Sequence, residues 1–187
     1  TVALRLAQRL GVPLAMGVPS VGDGGMYFAS LTVGGLSINL PDISIKKMAG
    51  VCKRYPNETA AIFVFDVLIL NDDREHNLKA NLTSNPLSLI AAIDHEQTLL
   101  GRYGDMQKSL EALESLETPH LHPLRDYVNH KHVDQWISHI QSLSNAAIDS
   151  AVILGYSIGG VHQRTQKRLA EALKKRRDTL NDLVNKA

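Results

Sequence analysis

The sequence predicts an α+β chain in which helices dominate. A hairpin signal sits near the start, apolar residues recur at helical spacing through most of the remainder, and Gly and Pro punctuate the boundaries. The 187 residues fit one domain with room for two lobes, and 44% hydrophobic against 21% charged residues is ordinary for a globular fold.

Each element follows in order. Val2, Leu4, Leu6 and Leu10, with Ala3 and Ala7, form a short apolar helix that Gly11 ends and Pro13 keeps from resuming. Val18 to Val21 and Met26 to Leu31 are two strands around Asp23-Gly24. Gly34-Gly35 and Pro41 mark an irregular link. A helix over 43–54 is expected to stop at Pro56, and Asn57 to cap the next one. In that helix Ala60, Phe63, Val64, Val67 and Leu68 recur at helical spacing, so it is expected to be buried and to end at Asn71. Residues 71–77 are all polar and 78–86 mostly so, which reads as one loop. Leu87 to Ile93 has strand length, and helices are expected over 106–116, 131–144, 146–154 and 163–184. Leu169, Leu173, Leu180 and Leu183 give the last an apolar seam.

Charge and cysteine content narrow the function classes. With 20 Lys+Arg against 19 Asp+Glu the formal charge is +1, so no global field draws nucleic acid or anionic lipid. Cys52 is the only cysteine, which excludes an internal disulfide and a cysteine zinc cluster and suits a reducing, cytoplasmic setting. The longest apolar runs, Ala60 to Phe65 and Ala151 to Leu154, fall far short of the ~18 residues of a membrane span. The chain is therefore expected to have no membrane partner.

The informative stretch runs from Phe65-Asp66 through Asn71-Asp72-Asp73-Arg74 to Asn77-Leu78 and Asn81-Leu82, with Ile93-Asp94-His95 beyond it. A buried helix delivers an acidic loop, then an amide, then an apolar strand that ends in another carboxylate. Phosphoryl transfer uses these types: one carboxylate accepts the acceptor's hydroxyl proton, while an amide and a second carboxylate hold magnesium against ATP phosphates.

On Phe65-Asp66, Leu68-Ile69, Asn71, Asp73-Arg74 and Ile93-Asp94-His95 the chain resembles the HipA-like kinases, and more loosely the phosphatidylinositol 3- and 4-kinases. Leu10-Gly11-Val12-Pro13, Met26 to Ser30, and Leu173 to Leu180 with Arg176-Arg177 extend the likeness. The resemblance implies a HipA-like C-terminal lobe over 41–187, with a partial N-terminal lobe and hinge over 1–40. It implies a serine/threonine protein kinase using ATP and magnesium, of the kind found in toxin–antitoxin systems, with a protein substrate. Asp73 would be the catalytic base, Asp94 and Asn77 the metal ligands, and Tyr27, Phe28 and Ala29 the nucleotide-side hinge strand. The amide falls out of step, since the family's position five residues after the base holds Leu78, with Asn77 one short and Asn81 three beyond. Counting from Asp72 instead would restore the spacing to Asn77.

The family's Gly-rich loop and strand Lys have no counterpart ahead of the first helix, already under way at Thr1. That leaves a fragment, a separate small-lobe subunit, a homo-oligomer covering the apolar first helix, or a non-catalytic kinase-like binding module. A reading from another class takes Gly155-Tyr156-Ser157-Ile158-Gly159 as a nucleophile elbow after an apolar strand, with Ser157 the nucleophile of a hydrolase. Only 30 residues follow Ser157, too few for the strands that carry the other triad members. His120, His122, His130 and His132 read as solvated loop histidines. Eight Lys/Arg against three Asp/Glu over 163–187 read as a solvated helix face.

Overall fold

The computed structural model describes residues 2–22, 25–30, 34–35, 38–83, 89–153 and 161–187, with backbone alone over 18–39. The chain is α+β and mostly helical, as its periodicity predicts. Among the described residues no helix is long and apolar enough to cross a membrane.

Helix α1, Val2–Leu10, ends at Gly11, whose φ of 70° is the left-handed conformation that favours glycine. Val2, Ala3, Leu6, Ala7 and Leu10 are all buried within this chain. Helix α6, Asn145–Val152, supplies cover, and Arg9 donates to Ser150 Oγ at 2.8 Å. These five residues therefore find cover within this chain.

Strands β1, Gly17–Gly22, and β2, Gly25–Ser30, form the expected antiparallel hairpin, and Asp23-Gly24 lies outside the described residues. β3, Gly34–Gly35, pairs with β4, Ile38–Asn39. The helix expected over 43–54 is instead a 3-10 turn over Ile45–Lys47 followed by α2, Met48–Arg54.

The core is built around α3, Pro56–Ile69, in which every residue from Thr59 onward is buried. α2 ends at Arg54 as expected, with Tyr55 before Pro56 turned out of the helical region, and Pro56 also opens α3, since a first-turn N–H has no intrahelical acceptor to lose. Asn57 is not its cap: Asn57 Oδ1 accepts from the Trp136 indole at 3.0 Å, joining α3 to α5, His130–Gln141. The remaining helices are α4, Met106–Glu114, α7, Gln163–Asp178, and α8, Leu180–Lys186. The helix expected over 163–184 thus breaks at Thr179, while its seam residues Leu169, Leu173, Leu180 and Leu183 all enter the core.

Two sequence readings of polar segments are corrected here. The segment 78–86 is not wholly loop: β5, Leu78–Ala80, pairs antiparallel with β6, Ile90–Ala92. The pair is flanked by Pro13 to Ala15, bonded to Ala92, and by Pro41 to Ile43, bonded to Ala80 and Leu78. The basic run on α7 is not wholly solvated either. Arg176 is fully buried and donates to the carbonyls of Leu68 at 2.8 Å, Val67 at 2.6 Å and Glu117 at 2.8 Å. A cation at the C-terminal end of α3 meets last-turn carbonyls, of which that of Val67 otherwise accepts only the Leu70 N–H at 3.4 Å. Burial lowers its pKa to about 10, so it remains charged at neutral pH. Arg176→Met keeps the bulk but withdraws the donors from these carbonyls. We expect a loss of about 3 kcal/mol in urea unfolding, against less than about 0.5 kcal/mol for the exposed Arg164→Met.

Candidate functional site

Helix α3 stops because Leu70 turns left-handed, at φ 58°, sending the next residues back over the helix end. The turn releases Asn71 to Asn77 beside the last turn of α3, which carries Asp66. Asp66 and Arg74 are both fully buried and form a two-pronged ion pair. Arg74 Nε donates to Asp66 Oδ2 at 2.7 Å and Nη2 to Oδ1 at 2.9 Å. Its Nη2 also donates to His95 Nε2 at 2.9 Å, and its Nη1 to the carbonyls of Asn77 at 2.6 Å and Ile93 at 2.9 Å. All five guanidinium N–H groups are thereby used.

Asp66 is equally saturated. Its Oδ1 also accepts from Asn71 Nδ2 at 2.9 Å and its Oδ2 from His122 Nε2 at 3.1 Å. His122 Nδ1 accepts the Leu124 N–H at 3.3 Å, which leaves the ring proton on Nε2 for Asp66. Burial works to raise the Asp66 carboxyl, but the charge and hydrogen bonds of Arg74, with those of His122, hold it well below the usual carboxylate range. Burial, with Arg74 beside it, lowers the His95 pKa to about 3, so this ring is neutral and accepts from Arg74. His122 corrects the reading of the loop histidines as solvated: it is buried, with Phe63 edge-on at 5.0 Å.

The residues expected to carry chemistry hang from this scaffold. Asp73 is half-buried, and its N–H donates to Asn71 Oδ1 at 3.1 Å. Asn77 Nδ2 donates to Asp73 Oδ2 at 3.0 Å and to its carbonyl at 2.8 Å. Asn77 lies immediately before β5, and its carbonyl also accepts the Ile93 N–H at 3.0 Å, so the strand pairing continues one step past β6. Asp94 follows directly, exposed, with φ 47° and its Oδ1 accepting the Glu96 N–H at 3.1 Å. Asp73 and Asn77 are thus in direct contact, and Asp94 adjoins the same strand end.

Asn81 lies past the other end of β5, where its Oδ1 accepts from Thr83 N at 2.9 Å and Oγ1 at 2.7 Å. Asp72 is committed elsewhere: it pairs with Arg102, and its Oδ1 accepts the His120 N–H at 2.9 Å. Tyr27, Phe28 and Ala29 lie in β2 opposite Ser20, Pro19 and Val18, and only their backbone is described. Ser157 lies outside the described residues. Of the expected strand before it, Ala151 and Val152 belong instead to the last turn of α6.

Among the described residues no three His, Cys, Asp or Glu cluster so as to hold a metal by themselves. The donor set at Asn77 and Asp94 still suits magnesium, which takes one or two protein oxygens and completes its shell from water and phosphate. Asn77 spends its N–H groups on Asp73, and no described hydrogen bond uses its side-chain oxygen. The sequence reading gave His95 no structural role, took His122 as solvated and did not single out Arg102. A lone carboxylate at position 66 of an apolar helix was the available signal, because a buried charge requires partners. A scan against family models finds no match, and a search of curated proteins finds no significant relative.

Two expectations follow. Arg74→Lys leaves three donors for five acceptors, and urea unfolding should show a loss of about 3–5 kcal/mol. Acidification should also destabilise the fold. The His95 pKa is about 3 when folded and near 6.5 when unfolded, so in that window only the unfolded chain takes up this proton. Its contribution is present above pH ~6.5 and fades toward pH 3, and the depressed Asp66 carboxyl extends the loss below pH ~4. In melts of the metal-free protein, His95→Gln, which keeps an acceptor for Arg74, should flatten the upper part of that profile.

Proposed function

We propose that the chain carries the phosphoryl-transfer site of a kinase resembling the HipA-like family, acting with ATP and magnesium on a serine or threonine hydroxyl of a protein. The observation that carries this reading is the hydrogen-bonded unit Asp73–Asn77, joined through the β5–β6 pairing to Asp94. In this reading Asp73 accepts the proton of the acceptor hydroxyl. Asn77 holds that carboxylate through its N–H groups, which leaves the amide oxygen for the metal, and Asp94 offers an exposed carboxylate to the same ion. When bound, the ion neutralises charge on the phosphate oxygens. The buried Asp66–Arg74 pair fixes the backbone on both sides, so the three side chains need little reorganisation.

Asp73→Asn should lower turnover by about a thousandfold or more while leaving the melting temperature within a few degrees, since the side chain is outside the core. Asp94→Asn should remove the magnesium dependence of ATP binding in calorimetric titration. Full turnover by the double variant would sink the assignment. Nucleotide binding without turnover in any acceptor screen would reassign the site to binding alone.

A further inference from the structure

We propose that the groove between α1 and α6 binds a phosphate monoester, a dianion carried on an organic body, through the guanidinium groups of Arg5 and Arg9. The groove shares no residue with the site around Asp73, and its role does not depend on phosphoryl transfer there.

The groove holds about 570 Å³ and is lined by Arg5, Gln8 and Arg9 from α1 and by Ser150 and Ile153 at the end of α6. Arg5 and Arg9 stand four residues apart, which puts both on one face of the helix. Helix α1 carries no acidic residue, and Asp149, the one carboxylate of α6, is paired with Lys174 at 2.8 Å. Among the described residues neither arginine forms an ion pair. Like charges at this spacing repel and weaken a helix, so the free protein carries a cost that a bound anion removes.

Both guanidinium groups are already held in place. Arg5 Nη1 donates to the carbonyls of Ala151, at 3.4 Å, and Ile153, and Arg9 Nη2 donates to Ser150 Oγ at 2.8 Å. Ser150 is fixed in turn by donating to the Ala147 carbonyl at 3.0 Å. These bonds go to neutral oxygens, so they orient the two cations without neutralising them. Each guanidinium has five N–H donors, and most of them are left over. Arg9 and Gln8 are exposed and Arg5 is half-buried, so those donors face an open groove. Gln8 spends an amide N–H on the Met16 sulfur at 3.4 Å, a weak acceptor that a phosphate oxygen outcompetes.

Two positive charges on two planar forks match a phosphate monoester, which presents three oxygens and nearly two negative charges. A carboxylate offers one charge and two oxygens. The volume is in the range of sites for organic ligands rather than bare ions, and Ile153, 62% exposed in the same groove, gives the organic body an apolar contact. A nucleic-acid strand fits less well. Each of its phosphodiesters carries a single charge, and the chain's net charge of +1 supplies no long-range field.

Calorimetric titration of the full chain with a phosphoserine peptide of uncharged flanks, phenyl phosphate and inorganic phosphate tests the proposal. At least one monoester should bind, and more tightly than inorganic phosphate. Binding of the peptide alone assigns a polypeptide source, and binding of phenyl phosphate assigns a small molecule. Arg9→Gln should weaken that binding roughly tenfold or more. Arg9→Lys, which keeps the charge and loses the fork, should weaken it less. Both variants should keep the melting temperature within a few degrees, because Arg9 is exposed. Asp73→Asn should leave the binding unchanged, so failure of the phosphoryl-transfer reading leaves this groove standing. Equal binding of a peptide with glutamate in place of the phosphoserine overturns the proposal. So does inorganic phosphate binding as tightly as either monoester, tighter binding of an RNA strand, indifference to Arg9→Gln, or no binding of any probe at millimolar concentration.

Discussion

The pair between Asp66 and Arg74 is the constraint on which the rest of the structure depends. Taking two charges out of water costs several kcal/mol per ion, and only full pairing offsets it. Here the pairing is complete, with five donors on Arg74 used and four hydrogen bonds accepted by Asp66. No group in the set can move without leaving another unpaired. Those partners come from four separate parts of the chain: the end of α3, the 71–77 loop, the segment after β6, and the loop that carries His122. An apolar pair of equal volume could fill the same space with comparable stability. It could not fix the carbonyls of Asn77 and Ile93 in direction.

A second buried arginine acts at the same helix end. Arg176 closes the carbonyls of Val67 and Leu68 and reaches the carbonyl of Glu117, which ties α7 to the 115–124 loop. The two arginines divide the labour. Arg176 satisfies the end of α3, and Arg74 shapes the backbone that leaves it. The exposed side chains Asp94 and Leu121 therefore project from backbone held by buried polar groups, not from mobile loop. Both have positive φ, and both adjoin a residue bonded to this network.

What the sequence made legible follows from how local the causes are. Helix α3 could be read from its apolar residues, and the loop at its end from seven consecutive polar ones. Gly11 marked the end of α1. The β5–β6 pair was half hidden, because Leu78-Lys79-Ala80 is too short and too mixed to signal a strand without its partner. Asn57 was misread as a cap because stop and start signals overlap where one helix follows another directly, and Pro56 serves as both. The roles of Arg176 and His122 had no local signal. A basic residue in a basic run, or a histidine in a His-x-His stretch, looks solvated until the fold brings a carbonyl or Asp66 against it. Asp73 and Asn77 were singled out by residue type and resemblance; that Asn77 grips Asp73 depends on a turn geometry that spacing alone does not give.

The charge balance of the site bears on the order in which its proposed ligands act. Asp66 is neutralised by Arg74, and Asp72 by Arg102. Among the described residues no cation pairs with Asp73 or Asp94. Two carboxylates thus stand uncompensated at the end of the β5–β6 pair, with exposed Glu75 and Glu96 in the same segments. A nucleotide polyphosphate approaching alone meets like charge, whereas a divalent cation is attracted. Buried charges paired inside and acidic charges left open outside give this face a negative field, so in the proposed reading the cation precedes the nucleotide.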